Sequence, residues 1–269
     1  MRRRLDTELV RRGLVESRAR AVEAVAEGRV RVAGAPASSP ARQVDASEPI
    51  TLVAPPAEYV SRGGHKLAAA LDRFAIDARG RFALDVGAST GGFTDCLLQR
   101  GAVHVIALDV GRGQLAWSLR NDPRVTALER TDIREYAQRD LDPGTLSSLC
   151  TVDVSFISLR TVAPALLTAT APGPDTDFCL LVKPQFEAGR ARIGKGGVVR
   201  DPEVHRAVLR EVIGELDAAG LGTLALIPSP LRGADGNVEF FAHARRLATA
   251  IDDHDVDAVV RAAHEESAA

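Results

Sequence analysis

Lysine is rare in this chain, and one lysine lies in the apolar segment LLVKPQFE, residues 180–187. Of 34 lysine and arginine residues, only Lys66, Lys183 and Lys195 are lysines. An arginine side chain keeps its proton in a protein, whereas a lysine ammonium can lose its proton when burial or a neighbouring cation lowers its pKa. Lys183 therefore has two interpretations. It is a general base at the end of a buried strand, or a strand-end lysine whose ammonium reaches solvent.

Three aspartates also stand where apolar segments end: Asp85, Asp109 and Asp153. The apolar segments predict strands at 81–86, 103–109, 148–153 and 178–182, separated by helical stretches such as 93–100. This alternation predicts an α/β fold with a Rossmann-like, doubly wound and mainly parallel sheet, in which ligands bind beyond the carboxyl ends of the strands. The three aspartates and Lys183 are therefore expected to face one crevice.

The segment DVGASTGGF, residues 85–93, joins the first of these strands to a helix. Its glycines permit a tight turn and a close approach of the backbone to a ligand, and Asp109 is placed to bind two ribose hydroxyls. Ser89 takes the place of the middle glycine of a strict G-x-G-x-x-G pattern. Nucleotide-dependent dehydrogenases and S-adenosylmethionine methyltransferases share this geometry, so the loop alone does not choose between them, and such a loop can also be a simple turn.

The first 55 residues predict a small α+β module. One helix ends at Gly13, a second is capped by Ser17, and short strands follow at 29–32 and 50–53. Residues 1–31 hold nine arginines against five acids, a local charge of +4 that favours a polyanion partner. Residues 56–62, which begin within the pair Pro55-Pro56, are interpreted as a linker, and residues 63–269 as the second domain.

Composition excludes some classes of protein. A hydrophobic content of 45% and a charged content of 26% are typical of a globular protein. There is no run of 18 apolar residues, and the N-terminus becomes acidic at Asp6 before an apolar signal-peptide core forms, so a cytoplasmic protein is expected. A membrane-lytic protein would need an apolar or strongly amphipathic insertion segment. Cys96, Cys150 and Cys179 are expected to be buried thiols.

The N-terminal segment RLDTELVRRGLVESRARAVEAVAEGRVRVAGAPASSPARQV resembles the S4 RNA-binding domain. In that family a helix pair presents basic side chains to structured RNA. The resemblance implies RNA contacts for Arg4, Arg11, Arg18, Arg20 and Arg29, and the expected RNA-binding set also includes Arg62. The alternative is that these arginines form only the solvated face of a small domain.

The loop DVGASTGGFT resembles the S-adenosylmethionine loop of the FtsJ-like ribose methyltransferases. The implied cofactor is S-adenosylmethionine, with Asp109 and Val110 at the ribose and Asp132 near the adenine. The other implied cofactor-binding residues are Asp85, Gly87, Ala88, Ser89, Thr90, Gly91, Gly92 and Phe93. For Asp132, a simple helix cap is the alternative.

FtsJ-like enzymes use a Lys-Asp-Lys-Glu tetrad, which the resemblance places at Lys66, Asp153, Lys183 and Glu239. Methyl transfer to a ribose 2′-hydroxyl requires a base for a weakly acidic alcohol, and Lys183, crowded by Lys66, is the expected base. Asp153 and Glu239 would orient the lysines, while Lys66 would hold the hydroxyl or a neighbouring phosphate. No metal is required.

An S4 module followed by SRGGHKL, DVGASTGGFTD, DVGRGQL, VDVSFISL and VKPQFE resembles the TlyA family of ribosomal RNA cytidine 2′-O-methyltransferases, historically also called haemolysins. The resemblance implies a monomer that acts on ribosomal RNA or ribosomal subunits. It favours the group that modifies both 16S and 23S rRNA and confers sensitivity to capreomycin-type antibiotics. One departure is the interdomain segment, which reads Ala57-Glu58-Tyr59-Val60 where mycobacterial members carry R-x-W-V.

Two alternatives stay open at the level of sequence. A non-catalytic S4-type ribosome assembly factor would carry the same RNA-binding module with an idle tetrad. The glycine-rich segment 189–197, which contains Lys195, is either a mobile loop that grips RNA phosphate or an ordinary solvated loop. A base methyltransferase is disfavoured because the usual N-P-P-[FY]-type motif is absent.

Overall fold

The computed structural model describes residues 2–53, 57–233 and 235–265, and the chain forms two units, residues 1–58 and residues 59–269. The pair Pro55-Pro56 lies outside the described residues, as does the side chain of Lys195. Within the described ranges, no helix is both long enough and apolar enough to cross a membrane.

The first unit is a small α+β fold. Its elements are β1 (Arg3–Arg4), α1 (Leu5–Arg11), α2 (Arg18–Ala26), β2 (Val30–Val32), β3 (Ala35–Pro36), β4 (Gln43–Val44) and β5 (Ile50–Leu52). Ser17 caps α2, since its hydroxyl accepts the Arg20 N–H at 3.3 Å. Strand β2 pairs antiparallel with β3 and β5. Leu5 and Leu9 of α1 pack into the hydrophobic core of this unit. The predicted two helices and short strands are present.

The second unit is built on a seven-stranded sheet. Its strands are β6 (Phe82–Val86), β7 (His104–Asp109), β8 (Val125–Glu129), β9 (Leu149–Val152), β10 (Asp177–Val182), β11 (Leu221–Pro228) and β12 (Phe240–Arg246). The strand order is β11-β12-β10-β9-β6-β7-β8. Strands β6 to β10 pair in parallel, whereas β12 runs antiparallel to both of its neighbours. This arrangement confirms the predicted α/β class.

Helices cover both faces of this sheet. They are α3 (Arg62–Arg73), α4 (Gly92–Gln99), α5 (Trp117–Arg120), α6 (Ile133–Tyr136), α7 (Leu159–Thr168), α8 (Pro184–Glu187), α9 (Pro202–Ala218) and α10 (Asp253–Glu265), with short 3₁₀ turns at Pro143–Thr145, Arg190–Arg192 and Lys195–Gly197. Along β6, Leu84 and Val86 pack into one hydrophobic core and Ala83 into the other, because successive side chains point to opposite faces. The three cysteines are buried, as expected.

Candidate active site

The carboxyl edge of the parallel strands brings two predicted catalytic residues together. Asp153 directly follows β9 and Lys183 directly follows β10, which are neighbours in the sheet. Lys183 Nζ lies 2.5 Å from Asp153 Oδ1 and 3.0 Å from Ser155 Oγ. Both side chains are largely buried, at 12% and 25% exposure. The pair is therefore a held ammonium–carboxylate contact at the edge where ligands bind in this fold.

The antiparallel strand β12 delivers the third and fourth predicted residues to the same edge. Glu239 immediately precedes β12, whose first residue pairs with Val182, the last residue of β10. Lys66 of α3 places its Nζ 2.6 Å from Glu239 Oε2, with side-chain exposures of 12% and 4%. The four side chains thus form two ion pairs, Lys183–Asp153 and Lys66–Glu239, and their formal charges sum to zero. Among the described residues, Lys183 Nζ contacts Asp153, Ser155 and the Phe186 ring, so a carboxylate and not Lys66 is its direct partner.

Residues of the loop between β6 and α4 line two cavities. Gly87 has φ +86°, and a Cβ there would lie 2.4 Å from the Asp153 carbonyl oxygen, so only glycine fits. The first cavity, of about 330 Å³, is lined by Gly87, Ser89, Asp109 and Asp153 together with apolar side chains. The second, of about 390 Å³, shares Gly87, Ser89 and Asp153 and adds Lys66 and residues of α3. The two cavities therefore adjoin at Gly87, Ser89 and Asp153.

Asp109 is held in place by the loop itself. Its two carboxylate oxygens accept the backbone N–H groups of Ser89 at 2.8 Å and Gly111 at 2.6 Å. Asp109 lines the first cavity together with Val110, Gln114 and Asp132. Asp132 also caps α6, since its side chain accepts the N–H of residue 134 at 2.8 Å. Asp132 is therefore a helix cap that also lines the first cavity, and its contact with the adenine stays a prediction.

The predicted cofactor residues divide into three groups. Gly87, Ser89, Asp109, Val110 and Asp132 line the first cavity. Ala88, Thr90, Gly92 and Phe93 line the second. Asp85 and Gly91 are among the lining residues of neither cavity.

Asp85 is fully buried behind the loop. Its carboxyl accepts hydrogen bonds from Thr94 Oγ1 at 2.6 Å and Thr151 Oγ1 at 3.2 Å. Burial raises the pKa of Asp85 to about 7, and the nearby charge of Asp153 acts in the same direction. The hydrogen bonds of Asp85 thus connect β6 to α4 and β9 and stabilise the loop.

Three residues at the site were not among the sequence candidates. Ser155 binds Lys183, and Arg232 lines the second cavity together with Arg62. Phe156 is 90% exposed with φ +64°, and its ring lies 4.8 Å from that of Phe186. An exposed phenylalanine in a strained backbone conformation carries a functional signal only once its exposure is known.

The predicted RNA-binding arginines of the first unit are engaged with neighbouring acids. Arg4 and Arg18 both contact Asp6, and Arg11 contacts Glu8. The guanidinium groups of Arg4 and Arg18, that of Arg4 first, hold the pKa of Asp6 well below its usual range. Arg20 and Arg29 pair in the same way with Glu23 and Glu27. The arginines are thus fixed in position by carboxylates.

A doubly wound sheet with a glycine-rich loop after one strand and an acid at the end of the next defines a nucleotide-binding α/β enzyme. The model of the FtsJ-like methyltransferases matches residues 59–246, and that of the S4 domain matches residues 3–50. Over 245 residues the chain is 49% identical to the 16S/23S rRNA (cytidine-2'-O)-methyltransferase TlyA of Mycobacterium tuberculosis, covering 91% of this chain and 90% of that protein. The chain belongs to the TlyA family of FtsJ-like methyltransferases with an S4 domain.

Two further relatives carry the historical name. Hemolysin A of Brachyspira hyodysenteriae is 38% identical over 241 residues, covering 89% of this chain and 98% of that protein. The solved structure of a putative hemolysin from Streptococcus thermophilus is 38% identical with a TM-score of 0.72, covering 99% of this chain and 97% of that chain. The family resemblance found in the sequence is confirmed, and the chain is a methyltransferase.

Proposed function

We propose that this chain transfers the methyl group of S-adenosylmethionine to the ribose 2′-hydroxyl of a cytidine in ribosomal RNA. The observation that carries the proposal is the pair of ion pairs, Lys183–Asp153 and Lys66–Glu239, beside two cavities that share one short wall. The name of the Mycobacterium tuberculosis relative supports both the target class and the chemistry. In this proposal the chain acts in the cytoplasm on ribosomal subunits, as a monomer.

The residues of the first cavity fit S-adenosylmethionine. Asp109 offers a carboxylate for the ribose hydroxyls, and Leu108, Ile133 and Val162 offer apolar walls for the adenine. Gly87 leaves room for close approach of the backbone. When bound, the cofactor supplies an electrophilic methyl group, and the protein contributes alignment and proton handling.

Lys183 is the base in this proposal. In its deprotonated form the Lys183 amine takes the proton of the 2′-hydroxyl as the oxygen attacks the methyl carbon. Asp153, 2.5 Å from Nζ, then stabilises the ammonium that forms, so the ion pair in the structure corresponds to the state after proton uptake. Lys66, oriented by Glu239, supplies a positive charge beside the oxygen that becomes negative.

The test is transfer of labelled methyl from S-adenosylmethionine to unmethylated 30S and 50S subunits, with nucleoside analysis of the product. The wild type is expected to form 2′-O-methylcytidine, and Lys183→Ala and Lys183→Arg are each expected to lose about 10²-fold to 10⁴-fold in rate. Arg73→Ala, at the far end of α3, is the matched control. Full activity of Lys183→Arg would contradict the base assignment, and an inactive wild type would favour the non-catalytic assembly factor.

The finer specificity is part of the same proposal. We infer modification of both 16S and 23S rRNA, with sensitivity to capreomycin-type antibiotics as the consequence. Label on both subunits supports this, and label on 50S subunits alone contradicts it.

The S4 unit is assigned to rRNA docking. It comprises residues 1–55, and a linker at 56–62 joins it to the methyltransferase domain 63–269. Unchanged methylation of subunits after deletion of residues 1–55 would contradict that assignment.

A further inference from the structure

The second cavity carries more positive charge than the catalytic tetrad accounts for. Its charged lining residues are Arg62, Lys66, Arg232 and Asp153. The tetrad has no net charge, because Lys66 pairs with Glu239 and Asp153 pairs with Lys183. The formal charges of the four charged lining side chains sum to +2, and Arg62 and Arg232 are the two lining cations outside the tetrad.

Arg62 stands where a cation is unfavourable for the fold alone. It is the first residue of α3, next to the Ser61 cap, and the N-terminus of a helix carries a partial positive charge that disfavours basic side chains. Among the described residues Arg62 makes no ion pair, and its one hydrogen bond goes from Nη2 to the Arg232 carbonyl oxygen at 3.2 Å. This position favours a role in binding an anion over a role in helix stability.

Arg232 is brought to the same cavity from a distant part of the chain. It lies in the segment between β11 and β12, and its Nη1 donates to the Gly236 carbonyl oxygen at 3.0 Å. The side chain is exposed, and its planar guanidinium loses less freedom per hydrogen bond formed than a flexible ammonium would. Both guanidinium groups present planar arrays of donors, the geometry that suits phosphate oxygens.

We propose that Arg62 and Arg232 together bind a backbone phosphate of the RNA next to the target ribose. The inference rests on the proposed function, since it takes the 2′-hydroxyl acceptor to occupy the second cavity beside Lys66. The neutral tetrad does not attract a polyanion by net charge, and the arginine pair supplies that attraction. Arg232 thereby becomes a substrate-binding residue that no sequence motif marks.

The test compares Arg62→Ala, Arg232→Ala and the double variant with Arg73→Ala, which removes the same charge from the other end of α3. Equilibrium binding of the substrate RNA is measured over a range of salt concentrations, and kcat and KM are measured on ribosomal subunits. Each single variant is expected to weaken RNA binding and raise KM by about tenfold or more. In each single variant, the slope of log affinity against log salt concentration should decrease in magnitude by about 0.7, because one phosphate contact is lost. The double variant should show the same decrease, because both arginines bind the same phosphate.

A purely structural role gives a different pattern. If the only role of Arg62 is to hold the backbone at residue 232 by its hydrogen bond to the Arg232 carbonyl oxygen, Arg62→Ala would lower the unfolding midpoint and leave the salt slope unchanged. Arg62→Lys and Arg232→Lys keep the charge, so their salt slopes should match wild type while KM still rises. An unchanged salt slope and KM in both alanine variants, with active wild type, would overturn the phosphate site and leave the proposed function standing. A wild type without 2′-O-methylcytidine product would refute the proposed function, while the salt slopes would still decide the phosphate site.

Discussion

The buried carboxyl of Asp85 makes the stability of the second unit depend on pH. Its pKa is raised to about 7 by burial, from an ordinary value of 3.8, so above pH 4 the folded state binds a proton that the unfolded state has lost. The contribution of Asp85 to the free energy of unfolding is fully present below pH 4 and is lost progressively as the pH rises through 7. At about 1.4 kcal/mol per unit of pKa difference, the loss between pH 5 and pH 8 is about 2 to 3 kcal/mol.

The perturbation that isolates this effect is Asp85→Asn. The amide keeps the volume and one acceptor oxygen, its NH2 group takes the place of the other carboxyl oxygen, and it has no charge to bury. Relative to wild type, the variant should therefore gain about 2 to 3 kcal/mol between pH 5 and pH 8, or roughly 5–10 °C in unfolding midpoint. Urea unfolding is followed by circular dichroism, because Trp117, the only tryptophan in the chain, is 79% exposed in the folded protein and its fluorescence would change little.

Asp122→Asn is the matched control for the Asp85 experiment. The Arg124 guanidinium holds the pKa of Asp122 below its usual range, so this carboxyl is ionised in both states throughout pH 5–8. Its substitution should shift the unfolding free energy equally at both ends of that range. Parallel pH profiles for wild type and Asp85→Asn would refute the reasoning, because they would mean that Asp85 is ionised in the folded protein.

Two other substitutions test the loop and the C-terminal helix. Gly87→Ala places a side chain at φ +86° and 2.4 Å from the Asp153 carbonyl oxygen, and should cost about 2 kcal/mol in urea unfolding and weaken S-adenosylmethionine binding in calorimetry. His205 Nδ1 lies 2.9 Å from His264 Nε2, and burial lowers the pKa of His205 to about 4, so stability should fall as the pH drops from 6.5 to 4. His205→Gln should remove about 2 kcal/mol of that fall, and an unchanged pH profile would contradict this.

The sequence predicted the part of the site that depends on local pattern. The buried strands that end at Asp85, Asp109 and Asp153 are continuous apolar runs, so β6, β7 and β9 fall within one residue of their predicted bounds. Strand β8 was not predicted, because it lies at the edge of the sheet and has no fully buried residue; only Thr126 is exposed and the other four residues are half-buried. Periodicity is a weak signal for such a strand.

The role of Arg232 could not be predicted because it depends on long-range geometry. Its backbone contact with Arg62 joins residues 170 positions apart in the chain, and it exists only because β12 runs antiparallel to β10. The same strand reversal places Glu239 beside Lys66. A motif can propose the glutamate through family resemblance, but a single arginine in an arginine-rich chain has no pattern that distinguishes it.

In the proposed mechanism the two kinds of cation at the site have different roles. The lysines, Lys66 and Lys183, are assigned to the positions where charge or a proton moves, and each has a carboxylate within 2.6 Å that compensates its charge. The arginines, Arg62 and Arg232, stand where a permanent charge is useful, because a guanidinium never releases its proton. A chain that otherwise uses arginine for its cations therefore places two of its three lysines in the tetrad. Exchanging lysine for arginine within the tetrad should abolish proton transfer, whereas exchanging arginine for lysine at the phosphate site should only weaken binding.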